Sequence, residues 1–234
     1  MNSTARKLLL SPQGIVRNGL IAEYRFNEGA GQILYDYKNN NNGQLGSTAG
    51  ADTNDPTWTT QGLTFATDDY VTAGTATDLN LANSNFTLVV AVKPTTTNLE
   101  TVMAKNSFGP NGWGIYQDAN KFHAQVRGSD AGAIINANSN YVLNQWYLLE
   151  FMRSGISLLL NINGVRQIST ASITTEPSTA AVNFQWGKRA TANDYYFNGE
   201  IAYALAYSRA LSLGESARNY RALKKNLAGR GVAI

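Results

Sequence analysis

Residues 86–93, FTLVVAVK, carry the pattern that most restricts the fold, because large apolar side chains recur at every second position. Successive side chains of an extended chain point to opposite faces. Four large side chains therefore share one face: Phe86, Leu88, Val90 and Val92. The other face is small or apolar as well, which predicts a strand covered on both sides. Pro94 lacks a backbone donor, so we expect the strand to end there.

The same alternation recurs in short segments separated by turn signals. These segments are residues 20–26, 112–117, 121–127, 146–152 and 156–163. Asn163-Gly164 is a strong hairpin signal and predicts an antiparallel return over 165–169. Because no amphipathic helical pattern separates the strands, we predict an antiparallel β-sandwich rather than a βαβ fold. A length of 234 residues, with 21 Gly and 12 Tyr, suits one all-β domain.

The sequence after residue 211 predicts a helix. Ser212 and Glu215 have the spacing of a capping box, and glycines at 229 and 231 predict the end of the helix. Its predicted inner face contains Leu213, Ala217, Tyr220 and Leu223 or Leu227. The tail GRGVAI is expected either to be disordered or to dock on a neighbour. The predicted organisation is an arm over 1–18, a sandwich over 19–211, and a helix with a basic tail over 212–234.

Positive charge is concentrated at the C-terminal end. The whole chain has a formal net charge of +3, yet the last 26 residues hold a single acid, Glu215, and a run of basic residues. These are Arg209, Arg218, Arg221, Lys224, Lys225 and Arg230. A solvated helix face accounts for this pattern, and so does a contact with an acidic partner or neighbouring subunit. Nucleic-acid binding is not expected, because no basic run is interleaved with stacking aromatic residues.

The N-terminal segment and the cysteine count bear on location. The apolar run at residues 8–10 is shorter than the roughly 7–15 residues of a signal peptide or the roughly 20 of a membrane helix. We therefore expect neither an export signal nor a membrane span. The chain has no cysteine, so disulfides are excluded and the redox compartment stays open.

Seven segments resemble, in order and spacing, the laminin G-like and concanavalin A-like jelly-roll domains. They are GLIAEYRFNEGAG (19–31), GLTFATDDYV (62–71), FTLVVAVKP (86–94), GWGIY (112–116), NQWYLLEF (144–151), LLLNINGV (158–165) and FNGEIAYALAYSRALS (197–212). The resemblance implies an all-β, two-sheet antiparallel jelly-roll sandwich of the concanavalin A-like type, with a short C-terminal helix. Because such a fold serves lectins, adhesion modules, hydrolases and virion proteins alike, it leaves the function open.

The residues do not favour catalysis. A glycoside hydrolase needs two facing carboxylates, and the E-x-D-x-E strand usual in hydrolases of this fold does not occur here. Glu23, Glu150 and Glu200 lie singly on predicted strands, and a pair assembled in space is the alternative. His123, the sole histidine, alternates with apolar neighbours, which favours a structural role. With no Cys and no second His, tetrahedral zinc is excluded. We expect a protein that is not an enzyme.

Calcium is the metal that the resemblance raises. Relatives of this domain often bind it at one edge of the sandwich, through backbone oxygens near the first glycine turn and an aspartate in the closing strand. Ala202 stands where that aspartate is expected, so the resemblance predicts that the site is lost. Asp68 and Asp69 are interpreted as a solvated turn rather than a pair of ligands. We therefore expect no cofactor, and calcium is not favoured.

A carbohydrate site would place aromatic rings beside amide and carboxylate groups at a loop-rich edge. The candidate glycan-binding residues are Asn111, Trp113, Tyr116, Asp194 and Tyr195. Burial in the core is the alternative for Trp113, because it matches a core position of the family.

The closing strand differs from the family pattern where that pattern carries charge. Relatives usually have Glu and Arg at positions 203 and 205. Here alternation places four large residues on one face, opposite a face of alanines: Ile201, Tyr203, Leu205 and Tyr207. We interpret these four residues as an interface with another subunit or with the N-terminal arm, because an exposed apolar stripe promotes association.

Two classes of function follow. A lectin-like domain without an export signal fits a phage virion, whose proteins are made in the host cytoplasm and released by lysis. The first hypothesis is a non-enzymatic structural or host-adhesion protein of a virion tail, fibre or capsid decoration. It would assemble as a homo-oligomer or with other virion proteins, and a cell-surface glycan is a candidate ligand. The alternative is an extracellular, secreted carbohydrate-binding module associated with a glycoside hydrolase.

Overall fold

The computed structural model describes residues 14–81, 84–105, 112–128, 132–167, 171–173, 182–189 and 194–234. Within these ranges one α-helix, α1, spans Leu213–Ala228, and a 3-10 turn spans Thr77–Leu79. The strands of the first half are β1 Leu20–Tyr24, β2 Ile33–Leu34, β3 Gly43–Leu45, β4 Thr57–Trp58, β5 Leu63–Phe65, β6 Val71–Thr72, β7 Phe86–Pro94 and β8 Glu100–Lys105. Those of the second half are β9 Gly112–Asp118, β10 Lys121–Arg127, β11 Gly132–Asn136, β12 Tyr147–Ser154, β13 Ser157–Ile162, β14 Val165–Arg166, β15 Ala171–Ser172, β16 Phe184–Trp186 and β17 Gly199–Tyr207.

The strands form two antiparallel sheets, which confirms the predicted sandwich. The nine-stranded sheet has the order β14-β13-β12-β7-β17-β5-β4, with β1 also paired to β17 and β15 to β13. The eight-stranded sheet has the order β11-β10-β9-β8-β16-β6-β3-β2. Asn163 and Gly164 have φ values of 50° and 77°. Two successive left-handed residues suit a tight hairpin turn, and they connect β13 to β14 as predicted.

The core between the two sheets is rich in aromatic rings. Trp186 of β16 is fully buried, with ring centroids 4.5 Å from Tyr24 and 4.1 Å from Phe184. The large side chains of β7 point into this core, as the alternation predicted: Phe86, Leu88, Val90 and Val92. Tilted and edge-on ring contacts of this kind stabilise a core beyond the area that they bury.

A second apolar layer, here called the outer layer, covers the outer face of the nine-stranded sheet. Helix α1 contributes Leu223 and Leu227, and the N-terminal segment contributes Ile15 and Val16. Val89 of β7 faces them from the sheet. Both faces of β7 are therefore covered, which explains why both are apolar.

A β-bulge in β17 corrects the predicted faces of the closing strand. The register with β7 shifts between Ile201 and Tyr203. Ile201 therefore lies in the core between the sheets, and Ala202 lies with Tyr203 in the outer layer. Strict alternation predicted Ile201 on the same side as Tyr203, which is wrong because a bulge inserts one residue and changes the phase of the strand.

The chain itself covers the predicted interface residues. Ile201 and Tyr207 are 0 % exposed, Leu205 is 1 % exposed and Tyr203 is 3 % exposed. Tyr207 lies in the outer layer, and its hydroxyl donates to the Val16 carbonyl oxygen at 3.0 Å. These side chains are not available to a second subunit, which corrects the prediction of an intersubunit interface at this stripe. Val16 belongs to the arm that the alternative prediction invoked.

Helix α1 begins as predicted, and its inner face is confirmed at Leu223, at Leu227 and at the partly buried Tyr220, but not elsewhere. The Ser212 side chain accepts a hydrogen bond from Glu215 N, and the Glu215 carboxylate accepts one from Ser212 N, which completes the capping box. The buried residues of the helix are Ser216, Asn219, Leu223 and Leu227. Leu213 is 74 % exposed and Ala217 is exposed, so their predicted place on the inner face is wrong.

The tail after α1 docks on the chain's own sandwich. Val232 is 0 % exposed and Ile234 is 8 % exposed. Gln61 Nε2 donates to the Gly231 carbonyl oxygen at 2.8 Å. This packing corrects the expectation of a tail that is disordered or docked on a neighbour. Across the part of the chain that the structure describes, no helix is both long and apolar enough to cross a bilayer.

Candidate functional site

The outer face of the eight-stranded sheet carries a line of polar and small side chains, here called the polar row. Cross-strand register aligns its members from β3 to β11: Gln44, Thr72, Gln185, Ala104, Gly114, Gln125 and Ile134. Phe184 and Trp186 flank Gln185 along β16 and point into the core, so Gln185 points to the opposite face. In register, the small residues Ala104 and Gly114 lie between the amide side chains of Gln185 and Gln125.

Several polar atoms on this face are buried without a hydrogen-bond partner. Among the described residues they are Gln185 Oε1, Thr72 Oγ1 and Thr101 Oγ1. Gln185 is 5 % exposed and Thr101 is 0 % exposed. Leaving a buried polar group unpaired costs about 1–3 kcal/mol, and folded proteins seldom do so. Three such atoms on one face indicate a place where a ligand or ordered water supplies the missing partners.

A second line of side chains, here called the ring row, lies beside the polar row. It joins β8 to β11 through Thr101, Tyr116, His123 and Asn136. The Tyr116 and His123 rings are stacked, with centroids 4.9 Å apart and planes 13° apart. His123 Nδ1 lies 2.7 Å from Asn136 Oδ1, which orients the imidazole. Burial raises the pKa of Tyr116 to about 12, so its phenol stays protonated and can donate a hydrogen bond.

The loop before β17 meets the ring row at Thr101. The Tyr195 carbonyl oxygen accepts a hydrogen bond from Thr101 N at 2.7 Å. Arg189 forms an ion pair with Asp194, and its guanidinium carbon lies 4.9 Å from the centre of the Tyr195 ring. The loop therefore brings an aromatic ring, a carboxylate and a guanidinium group to the end of the ring row.

Glu100 holds this loop in place. Its carboxylate is buried and accepts hydrogen bonds from the backbone and side-chain nitrogens of Asn198, both at 2.9 Å. It also accepts from Gln117 Nε2 at 2.9 Å and from Thr96 Oγ1 at 2.7 Å. Four donors satisfy the charge of the carboxylate. Glu100 is therefore a positioning residue for the loop that carries Tyr195.

A cation–π pair stands at the ends of β16 and β6, beside the same loop. Lys188 Nζ lies 3.7 Å from the centre of the Tyr70 ring. Burial lowers the pKa of Lys188 and, as the largest of several causes, raises that of Tyr70. The pair adds an amine and a further ring to this end of the sheet.

The structure brings three of the five predicted glycan-binding residues to this region: Tyr116, Asp194 and Tyr195. Trp113 is 1 % exposed, and its Nε1 donates to the Leu79 carbonyl oxygen at 3.0 Å. It is part of the core, so the prediction of a glycan contact for Trp113 is wrong. Asn111 lies outside the described residues.

Sequence reasoning missed the polar row. The signal was present in the segments FQW and FHAQV, where Gln185 and Gln125 each separate two apolar residues. Such a glutamine resembles any solvent-facing residue of a half-buried strand. Only the pairing of the strands shows that these amides belong to one row.

The carboxylates considered for catalysis or metal binding lie elsewhere. Glu23 is 1 % exposed and Glu150 is 6 % exposed, both on the covered outer side of the nine-stranded sheet. Glu200 forms an ion pair with a lysine of β7. Asp69 accepts a hydrogen bond from Ala66 N within a local turn, and Asp68 accepts one from Asn54 Nδ2 of a preceding loop. In the described ranges, no group of three or more His, Cys, Asp and Glu residues could hold a metal ion.

A comparison with protein families gives the class of this architecture. The laminin G-like profile described as the concanavalin A-like lectin/glucanases superfamily matches residues 65–215. The match covers more than half of the chain, and the chain belongs to this superfamily. A search of curated proteins finds no match.

Solved structures share the fold at low sequence identity. The chain is similar to Trypanosoma rangeli sialidase in complex with sialic acid, with a TM-score of 0.66 and 14% identity over 94% of this chain and 34% of the sialidase. Domain 4 of an extracellular arabinanase from Geobacillus stearothermophilus, in complex with arabinotriose, gives a TM-score of 0.64 and 19% identity over 86% and 98% of the two chains. The binding domain of botulinum neurotoxin DC, in complex with rat synaptotagmin II, gives 0.63 and 15% over 89% and 52%. The chain thus spans 34% of the sialidase, and these similarities show the fold alone.

Proposed function

We propose that the chain is a non-catalytic glycan-binding domain whose site is the polar row together with the ring row. The proposal rests on the buried, unpartnered polar atoms of Gln185, Thr72 and Thr101. A sugar hydroxyl can both donate and accept a hydrogen bond, so it suits an amide oxygen and a threonine hydroxyl alike. The stacked Tyr116–His123 pair places aromatic surface beside these groups, which is the combination that sugar sites use.

The order of side chains along the polar row is consistent with this ligand. Ala104 and Gly114 lie between Gln185 and Gln125 in register, so a ring placed over the small residues would have an amide on either side. The outer layer closes the other sheet with α1 and the N-terminal segment. The eight-stranded sheet is therefore the side of the sandwich on which we place the ligand.

Two structural neighbours support a sugar ligand without identifying it. The structure of the arabinanase domain contains bound arabinotriose, and that of the sialidase contains bound sialic acid. The structure of the toxin domain instead contains a bound protein, synaptotagmin II. The proposal therefore follows from the chemistry of the two rows, and the neighbours give it precedent.

A glycan array, followed by isothermal titration with the strongest ligand, tests the proposal. Gln185→Ala removes the unpartnered amide oxygen and is expected to weaken binding by about tenfold or more, which corresponds to about 1.4 kcal/mol. Asn226→Ala is the matched control, because it removes an exposed amide from α1 on the opposite side of the sandwich. We expect the control variant to bind as tightly as the wild-type chain.

Two results would contradict the proposal. One is a chain that binds no glycan on the array although its melting curve shows that it is folded. The other is equal loss of affinity in Gln185→Ala and Asn226→Ala, which would place the ligand away from the polar row.

We also propose, from the sequence alone, that the domain serves host adhesion on a virion and forms oligomers. Several copies on one particle would raise the avidity of a weak glycan site. Mass spectrometry of purified phage particles tests the location, and light scattering of the purified chain tests the oligomeric state. A chain that is monomeric and not found in particles would contradict the proposed virion role. The glycan array would still test the glycan site independently.

A further inference from the structure

Three backbone carbonyl oxygens converge on the guanidinium group of Arg230, two residues beyond the end of α1. Arg230 Nη1 donates to the carbonyl oxygens of Arg25 at 3.1 Å and Phe26 at 3.2 Å. Arg230 Nη2 donates to the carbonyl oxygen of Ala202 at 2.7 Å. The first two oxygens follow β1 and the third belongs to β17, so one side chain joins three distant parts of the chain.

Local backbone geometry explains why these oxygens meet. Phe26 has a φ of 52°, in the left-handed region that non-glycine residues seldom adopt. Ala202 lies in the bulge of β17, between Ile201 and Tyr203. Both irregularities turn carbonyl groups away from the regular sheet ladder. An unpaired carbonyl at such a place needs a donor or a cation.

Charge makes this oxygen cluster a cation site. Burial raises the pKa of Glu28, while hydrogen bonds and the positive charge of Arg230 act to lower it. Burial lowers the pKa of Arg230, while Tyr203 and Glu28 act to raise it. A guanidinium remains protonated under such conditions. Three carbonyl dipoles therefore meet a permanent positive charge, which also interacts electrostatically with Glu28.

The residues present do not fit the calcium ion that the family resemblance raised. Calcium takes six to eight oxygen ligands, usually including carboxylates, and position 202 is an alanine whose carbonyl oxygen bonds Arg230. We infer that Arg230 is the built-in cation of this oxygen cluster, filling the place that a metal ion would need. Docking of the C-terminal tail is thereby tied to the end of β1 and to the bulge of β17. This inference is independent of the proposed glycan site.

Thermal melting of three variants tests the inference. Arg230→Ala is expected to lower the melting temperature by about 5 °C or more, because it removes charge-assisted hydrogen bonds from a partly buried site. Arg230→Lys keeps the charge without the planar fork, and we expect an intermediate loss. Arg221→Ala removes an exposed arginine from α1 and should melt at the same temperature as the wild-type chain.

Adding either of two cations then tests whether the loss of stability comes from the oxygen cluster itself or from a general loss of packing. Methylguanidinium chloride should recover part of the loss in Arg230→Ala, or in Arg230→Lys if the alanine variant does not fold, and should not stabilise the wild-type chain. Calcium chloride should leave the amide NMR signals of Phe26 and Ala202 unchanged in the wild-type chain. Undiminished stability of Arg230→Ala, no recovery with methylguanidinium, or calcium-dependent shifts of those two signals would each overturn the inference.

Discussion

Tyr203→Phe removes one hydroxyl from the outer layer, and we expect it to destabilise the chain by about 1.5–3 kcal/mol at neutral pH. The Tyr203 hydroxyl donates to Glu23 Oε1 at 2.6 Å. Glu23 is 1 % exposed, so water cannot replace the lost donor. Arg25 Nε donates to the same oxygen at 2.9 Å, and Arg17 Nη1 donates to Oε2 at 2.8 Å. A hydrogen bond to a buried charge is stronger than one between neutral groups.

The penalty of Tyr203→Phe should depend on pH because it depends on the charge of Glu23. Burial acts to raise the pKa of Glu23, but the Tyr203 hydrogen bond and the nearby arginines outweigh it and lower the pKa below 4.5. A lowered pKa in the folded state contributes stability that is present above the unfolded value and is lost as the pH falls through the folded value. Once Glu23 is protonated, the penalty should shrink to about 1 kcal/mol.

Urea denaturation from about pH 7 down to the lowest pH at which the chain still folds measures this change in unfolding free energy. Tyr207→Phe is the matched control on the same strand, because its hydroxyl bonds the neutral partners Val16 O and Asn219 Nδ2, both at 3.0 Å. We expect a loss of about 1 kcal/mol for this control, with little dependence on pH. A Tyr203→Phe penalty that is constant with pH, or no larger than that of Tyr207→Phe, would refute the reasoning.

Three further predictions concern the packing of α1. Leu223→Ala should cost about 2–5 kcal/mol in urea denaturation because Leu223 is fully buried, whereas Leu213→Ala, at a residue 74 % exposed, should change stability by less than about 0.5 kcal/mol. Burial raises the pKa of Glu150. The stability that the protonated carboxyl contributes is therefore present below pH 4.5 and is lost as the pH rises through the raised pKa. Glu150→Gln should raise the melting temperature more at pH 8 than at pH 4, because glutamine cannot become charged. Gly155→Ala should lower the free energy of unfolding by about 1–2 kcal/mol, because its φ is positive. Gly164→Ala should lower it further: φ is positive there too, but an added Cβ would lie 2.9 Å from a tyrosine ring of α1, whereas one at residue 155 would meet nothing within 4 Å. Equal losses in the glycine pair would show that the helix yields to the added carbon.

The elements that could be predicted from the sequence are those with a local cause. The alternation of β7, the Asn163-Gly164 turn and the capping box of Ser212 each depend on residues a few positions apart. Each is present in the structure. Local patterns also predicted that the closing strand is apolar on both faces.

The errors arose where distant parts of the chain decide the outcome. The bulge at Ile201 and Tyr203 depends on pairing with β7, and it moved Ile201 from the outer side to the core. Leu213 looked like an inner residue by spacing, yet the helix meets the sheet through other positions. The candidate site depends even more on pairing, because Gln185 and Gln125 are about 60 residues apart in sequence and join one row only through β8 and β9, which lie between them.

The cover that α1 and β1 provide has a practical consequence for anyone who shortens this chain. The segment recognised by the family profile, 65–215, omits β1 and all but the first turn of α1. Cutting there would also remove β4 and most of β5, so β17 would become an edge strand with Tyr203, Leu205 and Tyr207 facing solvent. We expect such a fragment to aggregate on expression, because the segment that the profile matches lacks the parts of the chain that cover its apolar strand.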